Sequence, residues 1–361
     1  MERHVHKRRA VDERSSAPSV VHKRRGGLFR RARCPHRASD IARKAICNSQ
    51  ESCAVVTKIV LARCPSTPPS SNVKLSQLSV DGHDNKVPLT STMLITETHK
   101  DVPTQAGGDM RVFIFHPTIA NYPQAKFPGV VVFSEIYQVT GPVARFARQI
   151  ASQGYIVAAP SSYHEFTGPE PLAYDGPGTD AGNEWKITKK VTAYDEDAKL
   201  SVDILLDLPT CNGRIGATGM CLGGHLAYRC ALDPRVAAAV CYFATDIHSA
   251  SLGAGKKDDS LQRAGDIKGE LVMIFGKMDN HVPPEGRDLI RRTLHEKGVL
   301  FSFYEPAWAQ HAFIRDELSK GRYDAALSGV CFEMLKELFN RTLRSDLGPR
   351  SGGDVEIEDI C

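Results

Sequence analysis

Short apolar runs alternate with segments of helical periodicity along the chain beyond residue 92. The runs are continuous and bounded by polar or turn residues, which is typical of parallel strands buried on both faces. They predict strands at Met110–His116, Pro128–Phe133, Tyr155–Ala159, Val236–Phe243, Glu270–Gly276 and Leu300–Glu305.

Helical spacing of apolar residues separates these strands. It predicts helices over Pro142–Gln153, from Val191 to the stop at Pro209, over Leu222–Leu232 and Pro284–Lys297, and in a last helix with Tyr323, Leu327, Val330, Met334 and Leu338 on one face. Strands alternating with helices predict an α/β protein with a doubly wound, mostly parallel sheet, helices on both faces and a single domain.

One segment shows neither the apolar runs of a strand nor the spacing of a helix. Residues Ser161–Lys190 are rich in glycine, proline and aromatic residues. They predict a long loop, and a loop of that length in a compact domain commonly serves as a lid or binding segment.

Charge divides the chain into a basic arm and an acidic body. Residues 1–65 carry 16 Lys/Arg against 5 Asp/Glu, out of 46 and 42 in the whole chain. With the Pro/Ser-rich stretch Pro65–Asn72, residues 1–92 are predicted to be a disordered arm and linker, 93–343 the folded domain and 344–361 a flexible tail. The arm could be an import or anionic-surface patch, a transit peptide, an inert extension, or an over-extended gene product with the true start at Met93.

Composition excludes several classes of protein. No apolar run reaches the roughly eighteen residues of a membrane span. The chain has ten cysteines but no C-x-x-C pair and no secretory leader, so we expect reduced thiols and a cytoplasmic location. No metal, no cofactor and no nucleic-acid partner of the domain are expected, and monomer or dimer stays open.

The segment Gly219-Met220-Cys221-Leu222-Gly223 matches the nucleophile elbow G-x-S-x-G, with cysteine in place of serine. A short strand through Ile215 leads into it and an apolar helix leads out. The elbow holds its nucleophile in a strained turn, and a helix starting at Leu222 would direct its positive end at the thiol and favour the thiolate. The alternative is a buried, inert cysteine.

A nucleophile of this kind needs a base, and the base needs an acid to orient it. Asp279 follows the strand Glu270–Gly276, and His311 follows the strand Leu300–Glu305, in the chain order of this kind of triad. Asp279 could instead cap the helix that opens at Pro284. His281 is a rival base, but it lies in the loop of the acid, too near in sequence to pair with it and also reach the thiol.

Glu135 directly follows the strand Pro128–Phe133, at the same predicted edge of the sheet. There it could hold the proton of the thiol or repel the thiolate. The backbone N–H groups of Ile136 and Leu222 are the predicted oxyanion hole. The alternative is that Glu135 is a solvated loop acid.

These motifs, G-M-C-L-G-G, F-S-E-I, G-K-M-D and H-A-F-I-R, resemble the dienelactone hydrolases (carboxymethylenebutenolidases) of the α/β-hydrolase fold, over roughly Met93–Leu343. The resemblance implies a Cys221–His311–Asp279 triad. It also implies that Glu135 controls the thiol. The implied reaction is hydrolysis of a cyclic enol-lactone through an acyl-cysteine, without a cofactor.

The resemblance further implies that Arg315 holds a carboxylate of the substrate. Alanine stands at 312, where the family has serine, and no arginine occurs between Arg148 and Arg214, where the family has its second one. Lysine could replace that arginine only as a point charge. The candidates are Lys186, Lys189 and Lys190, and Trp185 with Tyr163, Phe166 and Tyr174 could line the pocket.

The sequence therefore predicts a cysteine-dependent hydrolase of small lactones or esters. Its alternative is a catalytically silent α/β-hydrolase scaffold that binds a small molecule or a protein.

Overall fold

The computed structural model describes residues 93–318 and 321–344. The described residues belong to one compact unit, Asp81–Cys361. The predictions for the basic arm, the linker and the tail beyond Arg344 lie outside the described residues.

Eight strands form one sheet in the order β1-β2-β4-β3-β5-β6-β7-β8. The six from β4 to β8 run parallel, while β2 pairs antiparallel with both β1 and β4. The strands are β1 Met93–Pro103, β2 Asp109–Ile119, β3 Phe127–Phe133, β4 Ile156–Pro160, β5 Cys211–Met220, β6 Val236–Tyr242, β7 Glu270–Ile274 and β8 Phe301–Tyr304.

Helices cover both faces of the sheet. They are α1 Gly141–Ser152, α2 Gly176–Thr188, α3 Val191–Asp207, α4 Leu222–Cys230, α5 Pro284–Glu296 and α6 Ala325–Phe339, with a 3₁₀ turn at Ala264–Asp266 and a π turn at Asn340–Arg344. Apolar side chains of α1 and α6 pack in one core layer, and those of α3, α4 and α5 pack in the other. The predicted doubly wound α/β-hydrolase fold is confirmed.

Two elements differ from the sequence prediction. Strand β1 was missed because most of its side chains are exposed, so its apolar pattern is weak. The segment Ser161–Lys190 is not all loop, because α2 occupies Gly176–Thr188. The side chain of Asp175 caps this helix by accepting the backbone N–H of Gly178 at 2.8 Å.

The glycines of α2 weaken its helical pattern in the sequence, but one of them allows close packing in the fold. A Cβ atom on Gly182 would lie 2.3 Å from the backbone oxygen of Ile136. The helix therefore packs directly on the loop that follows β3. No helix among residues 93–318 and 321–344 is long and apolar enough to cross a membrane.

Candidate active site

Cys221 occupies a strained turn between β5 and α4. Its backbone has φ 61° and ψ −120°, in the region that L-residues rarely adopt. A Cβ on Gly219 would lie 2.2 Å from the backbone oxygen of Gly223, and one on Gly223 would lie 2.1 Å from that of Phe133. The glycine spacing is thus required by close backbone packing, as expected for an elbow.

The resting thiol of Cys221 is protonated. Burial, and after it the charge of Glu135, raise its pKa to about 12, and the backbone N–H of Leu222 only partly opposes them. The N–H of Leu222 at the start of α4 acts in the predicted direction, toward the thiolate, but it is outweighed in this state. Desolvation and one carboxylate outweigh the helix dipole.

Asp279 and His311 form a buried pair. Nδ1 of His311 lies 2.8 Å from Oδ2 of Asp279. Their loops are joined by backbone hydrogen bonds from Met278 to Ala309 at 2.9 Å and from Lys277 to Pro306 at 3.1 Å. Asp279 does not cap α5, whose N-cap residue is Pro283, so that alternative is wrong.

The pKa shifts of Asp279 and His311 favour a carboxylate beside a neutral imidazole. Burial alone would raise the pKa of Asp279, but hydrogen bonds from His281 and His311 hold it below its usual range. Burial is the largest cause that lowers the pKa of His311 below its ordinary value, although Asp279 acts to raise it. Nε2 of His311 is buried and has no hydrogen-bond partner among the described residues, so the thiol is not hydrogen-bonded to it.

His281 contacts the acid after all. Its backbone N–H donates to Oδ1 of Asp279 at 2.8 Å, and its Nδ1 lies 3.4 Å from the same oxygen. Its ring stacks on that of His311 with centroids 4.1 Å apart. A tight turn folds His281 back onto the acid, and the prediction that it does not both pair with Asp279 and reach the thiol stays a prediction.

Glu135 is not a solvated loop acid, since its residue is only 1% exposed. It accepts hydrogen bonds from Arg315 at 3.2 Å and from the Tyr174 hydroxyl at 3.1 Å. Burial raises the pKa of Glu135 despite these partners. The guanidinium of Arg315 also lies over the Tyr174 ring, 4.6 Å from its centroid. Arg315 is thus held in place by an acid and an aromatic face.

Lys186, a candidate for the second cation, has its Nζ 3.0 Å from Oδ2 of Asp246. The charge of Lys186 lowers the pKa of Cys221, and the charge of Asp246 raises it. Sequence reasoning missed Asp246, although it closely follows β6 at the same sheet edge as the other acids. Trp185, next to Lys186, stacks on Phe166 with centroids 5.9 Å apart. The predicted lysine and tryptophan therefore share one end of α2.

Lys189 is not available to a substrate. It is 2% exposed, and its Nζ lies 2.7 Å from carboxylate oxygens of both Glu165 and Asp197. Lys190 is exposed and precedes α3 as its N-cap residue.

The two predicted oxyanion donors belong to neighbouring segments. Leu222 is the first residue of α4. Gly223 packs against the backbone of Phe133 and Ser134, in the segment that leads to Ile136. The loop after β3 therefore lies directly against the elbow.

In this parallel sheet, strand β5 leads into a cysteine elbow, and an acid and a histidine follow two later strands. This arrangement defines the chain as an α/β hydrolase. The sequence model of the dienelactone hydrolase family matches residues 111–343. The chain belongs to the dienelactone hydrolase family. It is a hydrolase of carboxylic esters or lactones and takes a small-molecule substrate.

Two named relatives and one solved structure are similar to the chain, the structure in its fold. A Saccharomyces cerevisiae protein named "Putative carboxymethylenebutenolidase" is 57% identical over 273 residues, which cover 74% of this chain and 100% of that protein. The carboxymethylenebutenolidase of Pseudomonas putida is 25% identical over 57% of this chain and 83% of its own length. A crystal structure titled "Putative Dienelactone Hydrolase", from Klebsiella pneumoniae, has a TM-score of 0.57 at 21% identity, covering 69% of this chain and 99% of its own.

Proposed function

We propose that the protein hydrolyses small lactones or esters through an acyl-cysteine formed on Cys221. The observation that carries this proposal is the combination of a strained cysteine elbow with a buried Asp279–His311 pair whose Nε2 has no partner. The names of the relatives, carboxymethylenebutenolidases, support a lactone as substrate.

Acylation must first remove the proton of the thiol. Glu135 is the acceptor, because its own pKa is raised by burial and its charge acts directly on Cys221. When the proton passes to Glu135, the carboxylate that destabilised the thiolate becomes neutral in the same step. The thiolate then attacks the carbonyl carbon, backbone N–H groups of Leu222 and Ile136 stabilise the oxyanion, and the C–O bond breaks. Glu135 returns its proton to the departing oxygen.

Deacylation uses the Asp279–His311 pair. Nε2 of His311 takes a proton from water, whose oxygen attacks the acyl-cysteine. Asp279 stabilises the imidazolium that forms, since its carboxylate lies 2.8 Å from Nδ1. The C–S bond breaks, and the departing Cys221 thiolate takes the proton from His311. The acid product leaves, and the enzyme returns to its resting state.

A carboxylate on the substrate would bind Arg315 in competition with Glu135. The pair is buried, so an incoming carboxylate can replace Glu135 without leaving the cation unpaired. Release of Glu135 from Arg315 would in turn make it a stronger acceptor for the thiol proton, because Arg315 lowers its pKa. Substrate binding and thiol activation are thus coupled.

We expect Arg315→Gln to lower kcat/KM for dienelactone, which bears a carboxylate, about tenfold or more relative to p-nitrophenyl acetate, which does not. The measurement is the ratio of the two kcat/KM values in wild type and variant, with fast turnover of dienelactone by the wild type as the test of the substrate class. Arg145→Gln is the matched control, because Arg145 forms an exposed pair with Asp316. An equal loss on both substrates would contradict the assignment of Arg315 to the carboxylate.

The dependence of kcat on pH reports the protonation of the proposed base, His311. Because the pKa of His311 lies below its ordinary value of 6.5, His311 is neutral at neutral pH. Protonation removes the base, so kcat should be constant near neutral pH and fall only as the pH drops below 6.5, through the lowered pKa. The measurement is kcat for p-nitrophenyl acetate against pH. A midpoint above the ordinary histidine value would contradict the assignment.

The raised pKa of Cys221 favours a second candidate, a silent scaffold that binds a ligand in the same pocket. Slow alkylation of the thiol does not separate the two, because both leave it protonated at rest. Absence of turnover on lactone and simple ester alike would favour the scaffold.

A further inference from the structure

Three side chains that carry possible metal-ligand atoms meet in the loops after β7 and β8. Asp279, His281 and His311 each offer one ligand atom, and these atoms lie within 4.8 Å of one another. It is the one such group of three or more found in the part of the chain that the structure describes.

The donor set suits a borderline transition metal. Two imidazole nitrogens and one carboxylate oxygen are a common three-residue set for Zn²⁺, with a fourth position left for water. The nitrogens already converge on one carboxylate, with Nδ1 of His311 2.8 Å from Oδ2 and Nδ1 of His281 3.4 Å from Oδ1. Metal–ligand distances are about 2.0–2.2 Å, so shifts on the order of an ångström would complete the site.

Access and charge are also suitable. The side chain of His281 is 48% exposed, while those of His311 and Asp279 are 7% and 0% exposed. One ligand can therefore capture an ion from water and turn toward two ligands that packing holds in place. The carboxylate of Asp279 brings a negative charge, which attracts a dication.

We propose that Asp279, His281 and His311 form an inhibitory site for Zn²⁺. The ion would bind Nδ1 of His311, the proton that Nδ1 carried would pass through solvent to Nε2, and the ring would lose its hydrogen bond to Asp279. Nε2, now protonated, would have no lone pair left to accept a proton from water. Metal binding would thereby disable the base that deacylation requires. The ion acts here as an inhibitor, and the hydrolysis itself is proposed to proceed without it. The inhibition rests on the proposed function, whereas the binding does not.

Zinc inhibition tests the effect on the enzyme. Zn²⁺ should inhibit p-nitrophenyl acetate hydrolysis reversibly, with activity restored by EDTA. His281→Gln should require at least about tenfold more Zn²⁺ for half inhibition of its own zinc-free rate, because it loses one ligand. His295→Gln is the matched control, since His295 is exposed on α5 and packs on Phe301. Equal inhibition of wild type and His281→Gln would overturn the proposal.

Cobalt binding tests the site without any activity. Co²⁺ titrated into the full chain should give visible absorption bands, weakened in His281→Gln and unchanged in Cys221→Ala. An intense near-ultraviolet thiolate band, or loss of binding in Cys221→Ala, would place the metal on the thiol and overturn the proposal. Cobalt binding that depends on His281 in a protein without turnover would support the metal site and contradict the proposed function.

Discussion

Cys221→Ala is expected to abolish turnover of lactones and esters, lowering kcat by about 10⁴-fold or more, because covalent catalysis has no other nucleophile in this elbow. Alanine keeps the Cβ and the backbone conformation at φ 61°, so the fold should be retained. The measurement is the rate of hydrolysis of dienelactone and p-nitrophenyl acetate, with circular dichroism and thermal unfolding as checks of the fold.

Cys211→Ala is the matched control for that loss. Cys211 is a free, buried cysteine at the start of β5, the opposite end of the strand from the elbow. Its removal should leave kcat nearly unchanged, with at most a modest loss of stability. If Cys221→Ala hydrolysed both substrates as fast as Cys211→Ala, the acyl-cysteine mechanism would be wrong.

The magnitude of the thiol pKa shift explains why the helix dipole is not enough. A rise from 9.0 to about 12 corresponds to about 4 kcal/mol against the thiolate. A helix N-terminus contributes about 0.3–1 kcal/mol at a surface and about 2 kcal/mol when partly buried. Sequence shows where α4 begins, but it does not show how much water the fold removes from the thiol.

The positions of the candidate site residues were predictable because they obey one rule of parallel sheets. Glu135, Asp279 and His311 each follow a strand whose apolar run is visible in the sequence, and Cys221 follows the short strand through Ile215. These strands are β3, β5, β7 and β8, in the part of the sheet that runs from β3 to β8. The carboxyl ends of parallel strands share one edge, so spacing along the chain becomes proximity in space.

The pairings at that edge were not predictable in the same way. Lys186 and Asp246 lie 60 residues apart on separate elements, and their contact depends on how α2 packs. Helix α2 itself has a weak apolar face and three glycines in its sequence, so periodicity does not reveal it. The contact of His281 with Asp279 depends on the turn geometry of two residues, which propensity does not specify.

His311→Gln is expected to stop the reaction after one acylation. Glutamine retains a polar side chain of similar length but cannot take a proton from water, so the acyl-cysteine should persist. With p-nitrophenyl acetate this predicts a burst of nitrophenol that matches the enzyme concentration, followed by a steady rate roughly 10³-fold or more below wild type. The measurement is a stopped-flow trace, with mass spectrometry to find an acetyl group on Cys221.

His281→Gln is the matched control, because it removes the histidine stacked on His311 while the backbone N–H to Asp279 remains. It should show no burst above wild type and a kcat within a few-fold of it, since the backbone hydrogen bond to Asp279 and the Asp279–His311 pair both remain. A burst in His281→Gln together with normal turnover in His311→Gln would exchange the two roles and make His281 the base. Loss of the burst itself in His311→Gln, with no acetyl group on Cys221, would instead show that His311 is needed for acylation, and Glu135 would then not be the acceptor of the thiol proton.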